Sequence, residues 1–207
     1  MDYCIQGERL SDYPGLQEVA DRYETWRRRW LSTTGIESSR GSPEFSDRCL
    51  WFRNGYPYPD WTATIIEPSH LGFLVLSATT ERRNSPLIAV EAVFTRLEDA
   101  GKYVLAFFGD MLRLECKLEP LYRQWRRAGI CSCLEKGTAE QQVVEFIANY
   151  NGVSRDVIDR LTHKYWVKAE PERYAHLSSF DEPTSRVLTM SYNELDVMLT
   201  EGLGVGK

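Results

Sequence analysis

The chain has 207 residues, of which 43% are hydrophobic and 27% are charged, and its net charge is −5 at pH 7. A chain of this length forms a domain whose core needs neither a metal nor disulfides. The negative charge disfavours a nucleic-acid partner. No run of roughly 18 apolar residues is present, so we expect no membrane-spanning helix and no membrane partner. The N-terminal string MDYCIQGERL lacks the apolar region of a secretion signal, which predicts a cytoplasmic protein.

Residues 16–31, LQEVADRYETWRRRWL, repeat apolar side chains every three or four positions and predict an amphipathic helix. The arginines Arg27–Arg29 lie between two tryptophans, a pattern that suits contacts with phosphates and bases. The acidic surroundings favour a solvated helix face instead.

Residues 32–48 form a loop rich in Ser, Gly and Pro that contains the string GSPEF, which also matches a cloning-derived linker. The loop is the only boundary that the composition indicates. We therefore predict an N-terminal helix and loop over 1–44 and an α+β domain over 45–207.

In the next segment, turn residues separate three predicted strands, at 49–52, 61–66 and 72–79. The apolar run at 87–94 fits either a fourth strand or the first part of a helix. Such closely spaced strands indicate an antiparallel meander. A helix follows, with a capping box formed by Thr95 and Glu98 and a C-terminal stop at Gly109. We expect this helix to pack on the meander.

The rest of the chain begins with a less regular segment, 112–136, whose net charge is +3. Further predicted elements are a helix capped by Thr138, a short helix after Ser154, strands at 164–170, 173–180 and 185–191, and a helix opened by the capping box Ser191–Glu194. The predicted fold class is α+β, a mostly antiparallel sheet with helices packed on it in a single compact domain.

The five cysteines are odd in number, and with no secretion signal they predict reduced thiols. Cys131 and Cys133 are one residue apart, whereas zinc ligand pairs are usually spaced more widely and come with a second pair. We therefore expect no metal and no other cofactor.

No nucleotide-binding or hydrolase motif is present, and the three histidines stand in a loop, near a helix end and in a strand. The sequence therefore predicts a protein that is not an enzyme. An enzyme or nucleotide-binding domain with an unfamiliar site is the alternative.

Aromatic residues cluster in a loop stiffened by Pro57 and Pro59, and such rings are common interface anchors. The next strand connection carries two arginines that suit an acidic partner. We predict a partner-binding site made of Tyr56, Tyr58, Asp60, Trp61, Arg82, Arg83 and Asn84. The alternative is that the rings fold back over the sheet and the arginines only solvate a turn.

The segment 72–113 resembles the central part of the immunity factors that neutralise tuberculosis necrotizing toxin. The shared pattern is a strand, a polar turn with proline, an apolar run, and an aromatic-rich helix with Phe-Gly and a following arginine. The corresponding residues are Phe73 to Thr79, Glu81 to Pro86, Tyr103, Phe107, Phe108, Gly109 and Arg113. The strings CLWFRNG, RYAHLSSF and VLTMSYNELDVML stand in the expected order, so the resemblance covers about 45–200. It departs from the family in the Cys- and Arg-rich segment 114–137 and at the C-terminus.

The resemblance implies a small α+β antitoxin without enzymatic activity. Such a protein binds an NAD glycohydrolase toxin tightly and blocks the toxin's NAD site. The alternative is another protein-binding inhibitor or adaptor, encoded by a phage or mobile element.

Overall fold

The computed structural model describes residues 13–83 and 85–204. The helices are α1 (Pro14–Thr34), α2 (Leu97–Glu115), α3 (Leu121–Ala128), α4 (Gln141–Asn151), α5 (Arg155–Leu161), a 3₁₀ helix (Glu182–Thr189) and α6 (Tyr192–Thr200). The strands are β1 (Glu44–Ser46), β2 (Cys49–Asn54), β3 (Thr62–Ser69), β4 (Gly72–Thr79), β5 (Leu87–Phe94), β6 (Leu134–Thr138), β7 (Thr162–Val167) and β8 (Glu170–Ser178).

The strands form one antiparallel sheet in the order β1-β2-β3-β4-β5-β8-β7-β6. The meander from β2 to β5 agrees with the prediction, and β4 has the predicted bounds. The apolar run 87–94 is strand β5 and not the start of a helix. Strand β1 was not predicted, because it lies within the predicted loop 32–48. The pairing of β5 with β8 adds the C-terminal strands to the same sheet. The predicted α+β class and the single compact domain are confirmed.

Helices cover both faces of the sheet. The first face packs against α1, α2, α6 and the 3₁₀ helix around side chains such as Phe52 and Phe94, and the second packs against α4 and α5. Helix α1 buries Tyr23 and Trp26 in the core of the first face. The boundary at residue 44 stays a prediction, although α1 shares this core with the sheet.

Two buried cations of α2 hold α6 in place. The fully buried Lys102 forms an ion pair with Asp99 at 2.8 Å and donates to the carbonyl oxygen of Met190 at 2.6 Å. Arg113 is 4% exposed and donates to the carbonyl oxygens of Leu199 and Glu201 at 3.0 and 2.7 Å. A helix leaves its last carbonyl groups without intrahelical partners, and Arg113 supplies those partners for α6.

Two predicted ends of α2 are wrong. Helix α2 continues through Gly109 to Glu115. A Cβ at residue 109 would lie 2.6 Å from Leu199 Cδ1, so the glycine serves the close approach of α6 rather than a helix end. Thr95 does not cap α2, because its hydroxyl donates to the carbonyl oxygen of Tyr174 on β8 at 3.1 Å.

The segment predicted as a strand over 185–191 is mainly the 3₁₀ helix, which buries Val187 and Leu188. Ser185 Oγ donates back to the Glu182 carbonyl oxygen at 2.6 Å, a local bond that competes with sheet pairing. Thr138 ends β6 and does not cap α4. The capping box Ser191–Glu194 at the start of α6 is confirmed.

The prediction of reduced thiols is wrong for Cys131 and Cys133, which form a disulfide. The tight turn between α3 and β6 places their Cα atoms 5.3 Å apart, within disulfide range. Cys49 and Cys116 are free thiols. Burial raises the pKa of Cys49 to about 11 and also raises that of Cys116, so both favour the thiol form.

The N-terminus of α4 is tied to the sheet through Glu140. Its carboxylate contacts His176 Nε2 on β8 and Lys164 Nζ on β7. His176 is 2% exposed, and burial lowers its pKa although the Glu140 carboxylate favours the charged ring. The neutral imidazole is therefore part of the folded state.

Replacing Arg113 with Met should lower the free energy of unfolding by about 3 kcal/mol, because it leaves buried carbonyl groups without donors. Tm should fall by roughly 10 °C. Arg28→Met on the exposed side of α1 is the matched control and should change stability by less than about 0.5 kcal/mol. Equal thermal unfolding of the two variants would contradict the role of Arg113.

Stability should fall as the pH drops through the unfolded-state pKa of His176. Because the folded-state pKa lies lower, the unfolded chain binds the proton first and is favoured on the acidic side. Urea unfolding at about pH 7.5 and about pH 5.5 measures the loss. The loss should be smaller in His176→Gln than in wild type, and an equal loss in both would show that burial of this ring does not set the pH dependence.

Candidate functional site

The two predicted binding segments lie at the same end of the sheet. The first connects β2 to β3, and the second connects β4 to β5. Since β2, β3, β4 and β5 are antiparallel neighbours, alternate connections return to the same end. The meander therefore brings together residues more than 20 positions apart in sequence.

Direct hydrogen bonds join the two segments. Asp60 Oδ1 accepts from the backbone N–H of Arg82 at 3.0 Å, and the Trp61 carbonyl oxygen accepts from the N–H of Thr80 at 3.0 Å. Asp60 and Arg82 both have left-handed backbones, with φ of 66° and 56°. That conformation costs a residue with a side chain roughly 1–2 kcal/mol, so the surrounding contacts must hold it.

Three aromatic rings surround the guanidinium group of Arg53. Its Cζ lies 4.5, 4.8 and 4.9 Å from the ring centroids of Trp51, Tyr56 and Trp61. Arg53 Nε also donates to Glu44 Oε2 on β1 at 3.0 Å. These contacts fix the loop on the second face of the sheet, where the half-buried Trp61 also packs against the core.

The predicted binding residues differ in how much of each side chain is exposed to a partner. Tyr58 is 73% exposed and Tyr56 is 52% exposed. Arg82 and Arg83 are exposed, and Asn84 lies outside the described residues. We call the region formed by Tyr56, Tyr58, Asp60, Trp61, Arg82 and Arg83 the loop–turn surface.

Sequence reasoning missed Trp51 and Arg53. Alternation along β2 was the available signal: Leu50 and Phe52 are buried on the first face, which places Trp51 and Arg53 on the second. The loop–turn surface thus combines aromatic rings with cationic side chains, and hydrogen bonds and packing around Arg53 hold it in place. This arrangement suits binding of a protein surface.

The three arginines of α1 are mostly engaged within the chain. Arg27 forms an ion pair with Glu24 at 2.9 Å, and the Arg29 guanidinium lies 4.4 Å from the Trp26 ring centroid. Arg28 is exposed.

Over residues 13–83 and 85–204, no group of three or more His, Cys, Asp or Glu side chains is arranged to hold a metal ion. Within the same ranges, no helix combines the length and apolar composition needed to cross a membrane.

The chain matches no protein-family model and no curated protein. Among solved structures it is similar to Rv3902c from M. tuberculosis, with a TM-score of 0.51 and 15% sequence identity. The similarity covers 84% of this chain and 86% of that chain. At this identity the comparison shows a shared fold.

Proposed function

We propose that this chain is a non-enzymatic antitoxin that acts in the cytoplasm, binds an NAD-degrading toxin and occludes its active site. The observation that carries the proposal is the loop–turn surface, in which aromatic rings and exposed arginines lie on two strand connections that are hydrogen-bonded to each other. The resemblance of the sequence to immunity factors of tuberculosis necrotizing toxin supplies the class of partner. The similarity to Rv3902c concerns the fold and adds nothing about the partner.

The loop–turn surface is ordered before binding. The bond from Arg82 to Asp60 and the packing of Tyr56 and Trp61 around Arg53 already restrict the backbone and the rings. Little conformational entropy then remains to be lost on association, which favours tight binding. An antitoxin needs an affinity that is nanomolar or tighter, about −12 kcal/mol, because a trace of free enzyme keeps turning over NAD.

Tyr58 is the central anchor in this proposal. Among the rings of the loop–turn surface it is the most exposed, and it can enter a cleft without disrupting the packing around Arg53. Arg82 and Arg83 at the rim suit acidic groups of the partner and steer its approach. The rings that pack around Arg53 hold the anchor in position.

The purified chain should stop NAD hydrolysis by tuberculosis necrotizing toxin or a related toxin at near-stoichiometric amounts. Tyr58→Ala should weaken inhibition by about 2 kcal/mol, roughly 30-fold. Tyr56→Ala, Tyr58→Ala and Trp61→Ala together should weaken it by several kcal/mol, on the order of 4. Titrated rates of NAD loss measure both effects.

Tyr150→Ala is the matched control, because Tyr150 is a partly exposed tyrosine on α4 away from the loop–turn surface. It should inhibit like wild type. A folded triple variant with full inhibition would exclude this surface. A wild-type chain that inhibits none of the related toxins would overturn the antitoxin proposal.

A further inference from the structure

A second surface lies on the side of α2 that carries its exposed apolar residues. A groove of about 380 Å³ runs between α2, α3 and the start of the 3₁₀ helix. Its α2 wall carries Tyr103, Phe107, Met111 and Leu114, spaced by four, four and three residues. This spacing forms one continuous apolar stripe along the helix. We call the site the α2–α3 groove.

The apolar walls of the groove are open to solvent. Phe107 on α2 is 53% exposed, and Phe180 on the opposite wall is 71% exposed. Met111 and Leu114 continue the exposed stripe. Large apolar side chains gathered in a concave surface mark an interaction site, whereas single exposed ones need no explanation.

Hydrogen bonds within the chain fix the positions of the three walls relative to one another. Asp110 Oδ1 and Oδ2 accept from the backbone N–H groups of Leu121 and Tyr122 at 2.6 and 2.8 Å, which fixes α3 against α2. The Tyr122 hydroxyl donates to the Phe180 carbonyl oxygen at 2.7 Å, which fixes the third wall. The groove is therefore formed before any partner arrives.

Positive charge borders the groove. Arg123 lines it and Arg126 lies on the adjoining surface of α3; both are exposed and, within the described part of the chain, neither forms an ion pair. The guanidinium of Arg40 lies 5.5 Å from the Phe107 ring centroid. The acidic group Asp110 is engaged with α3, and Asp181 accepts from Ser178 Oγ at 3.1 Å.

We propose that the α2–α3 groove binds an amphipathic helix of a partner protein, with apolar side chains in the groove and acidic side chains facing Arg123 and Arg126. The stripe from Tyr103 to Leu114 spans about 17 Å, the length of three helical turns. A helix offers its side chains at the matching spacing. The acidic flanks follow from Arg123 and Arg126, the exposed cations beside the groove that form no ion pair within the described part of the chain.

The groove acts independently of the loop–turn surface, and the two surfaces share no residue. A partner helix can therefore bind whether or not the chain inhibits a toxin. The site gives the protein a second protein contact of different chemistry.

The test uses the full chain and two synthetic helical peptides of about 18 residues, both with leucines along one face. One peptide has glutamates beside the leucines, and the other has lysines. Fluorescence anisotropy should show that the glutamate peptide binds about tenfold more tightly, and that added salt reduces the difference. Arg123→Glu with Arg126→Glu should reverse the preference.

Phe107→Ser with Leu114→Ser should weaken the glutamate peptide by at least about tenfold, since it removes two exposed apolar contacts. Circular dichroism checks that this variant folds, and Tyr58→Ala should bind the peptide like wild type. Three results would overturn the proposal: equal binding of both peptides, unchanged binding by the folded double-serine variant, or a homodimer that the same variant dissolves.

Discussion

Arg113 occupies the junction on which the helical layer depends. Arg113 is 4% exposed, so its guanidinium group has lost most of its hydration, and only well-placed acceptors offset that cost. Its Nη1 donates to the carbonyl oxygens at the end of α6, and its Nε donates to the Glu119 carbonyl oxygen at 2.9 Å. The end of α6 and the start of α3 must therefore both meet α2 at this point.

Two further contacts fix α6 against α2. Lys102 anchors the chain before α6 through Met190, and Gly109 lets Leu199 approach the α2 backbone. The inner side of α2 is thus committed to α6 and the sheet, and its outer side is left to form the α2–α3 groove. One side of α2 therefore packs in the core, and the other side forms a wall of the proposed helix-binding site.

Local sequence signals predict the elements that local chemistry controls. The predictions of the apolar strand at 72–79 and of the Ser191–Glu194 capping box are correct because their causes lie within a few residues. Signals at Thr95 and Gly109 mislead because distant partners, Tyr174 and Leu199, use those residues differently. Sequence reasoning missed the α2–α3 groove because its walls come from three separated segments.

The candidate site also has parts that the sequence predicts and parts that depend on the fold. The aromatic loop and the arginine turn can be recognised from composition, but the bond from Arg82 to Asp60 and the position of Arg53 among three rings depend on strand order. Because the rings pack around Arg53, the loop has a fixed conformation. An inhibitor benefits from that order because it must fill an enzyme cleft with little entropic loss.

Hydrogen exchange of the chain, free and bound to an inhibited NAD-degrading toxin, shows whether the loop–turn surface binds the toxin. Toxin binding should slow exchange most strongly in 80–83 and in the non-proline backbone amides of 55–61, with little change along the outer side of α2. Unchanged exchange in both connections of a saturated complex would contradict the assignment of the loop–turn surface as the toxin-binding site.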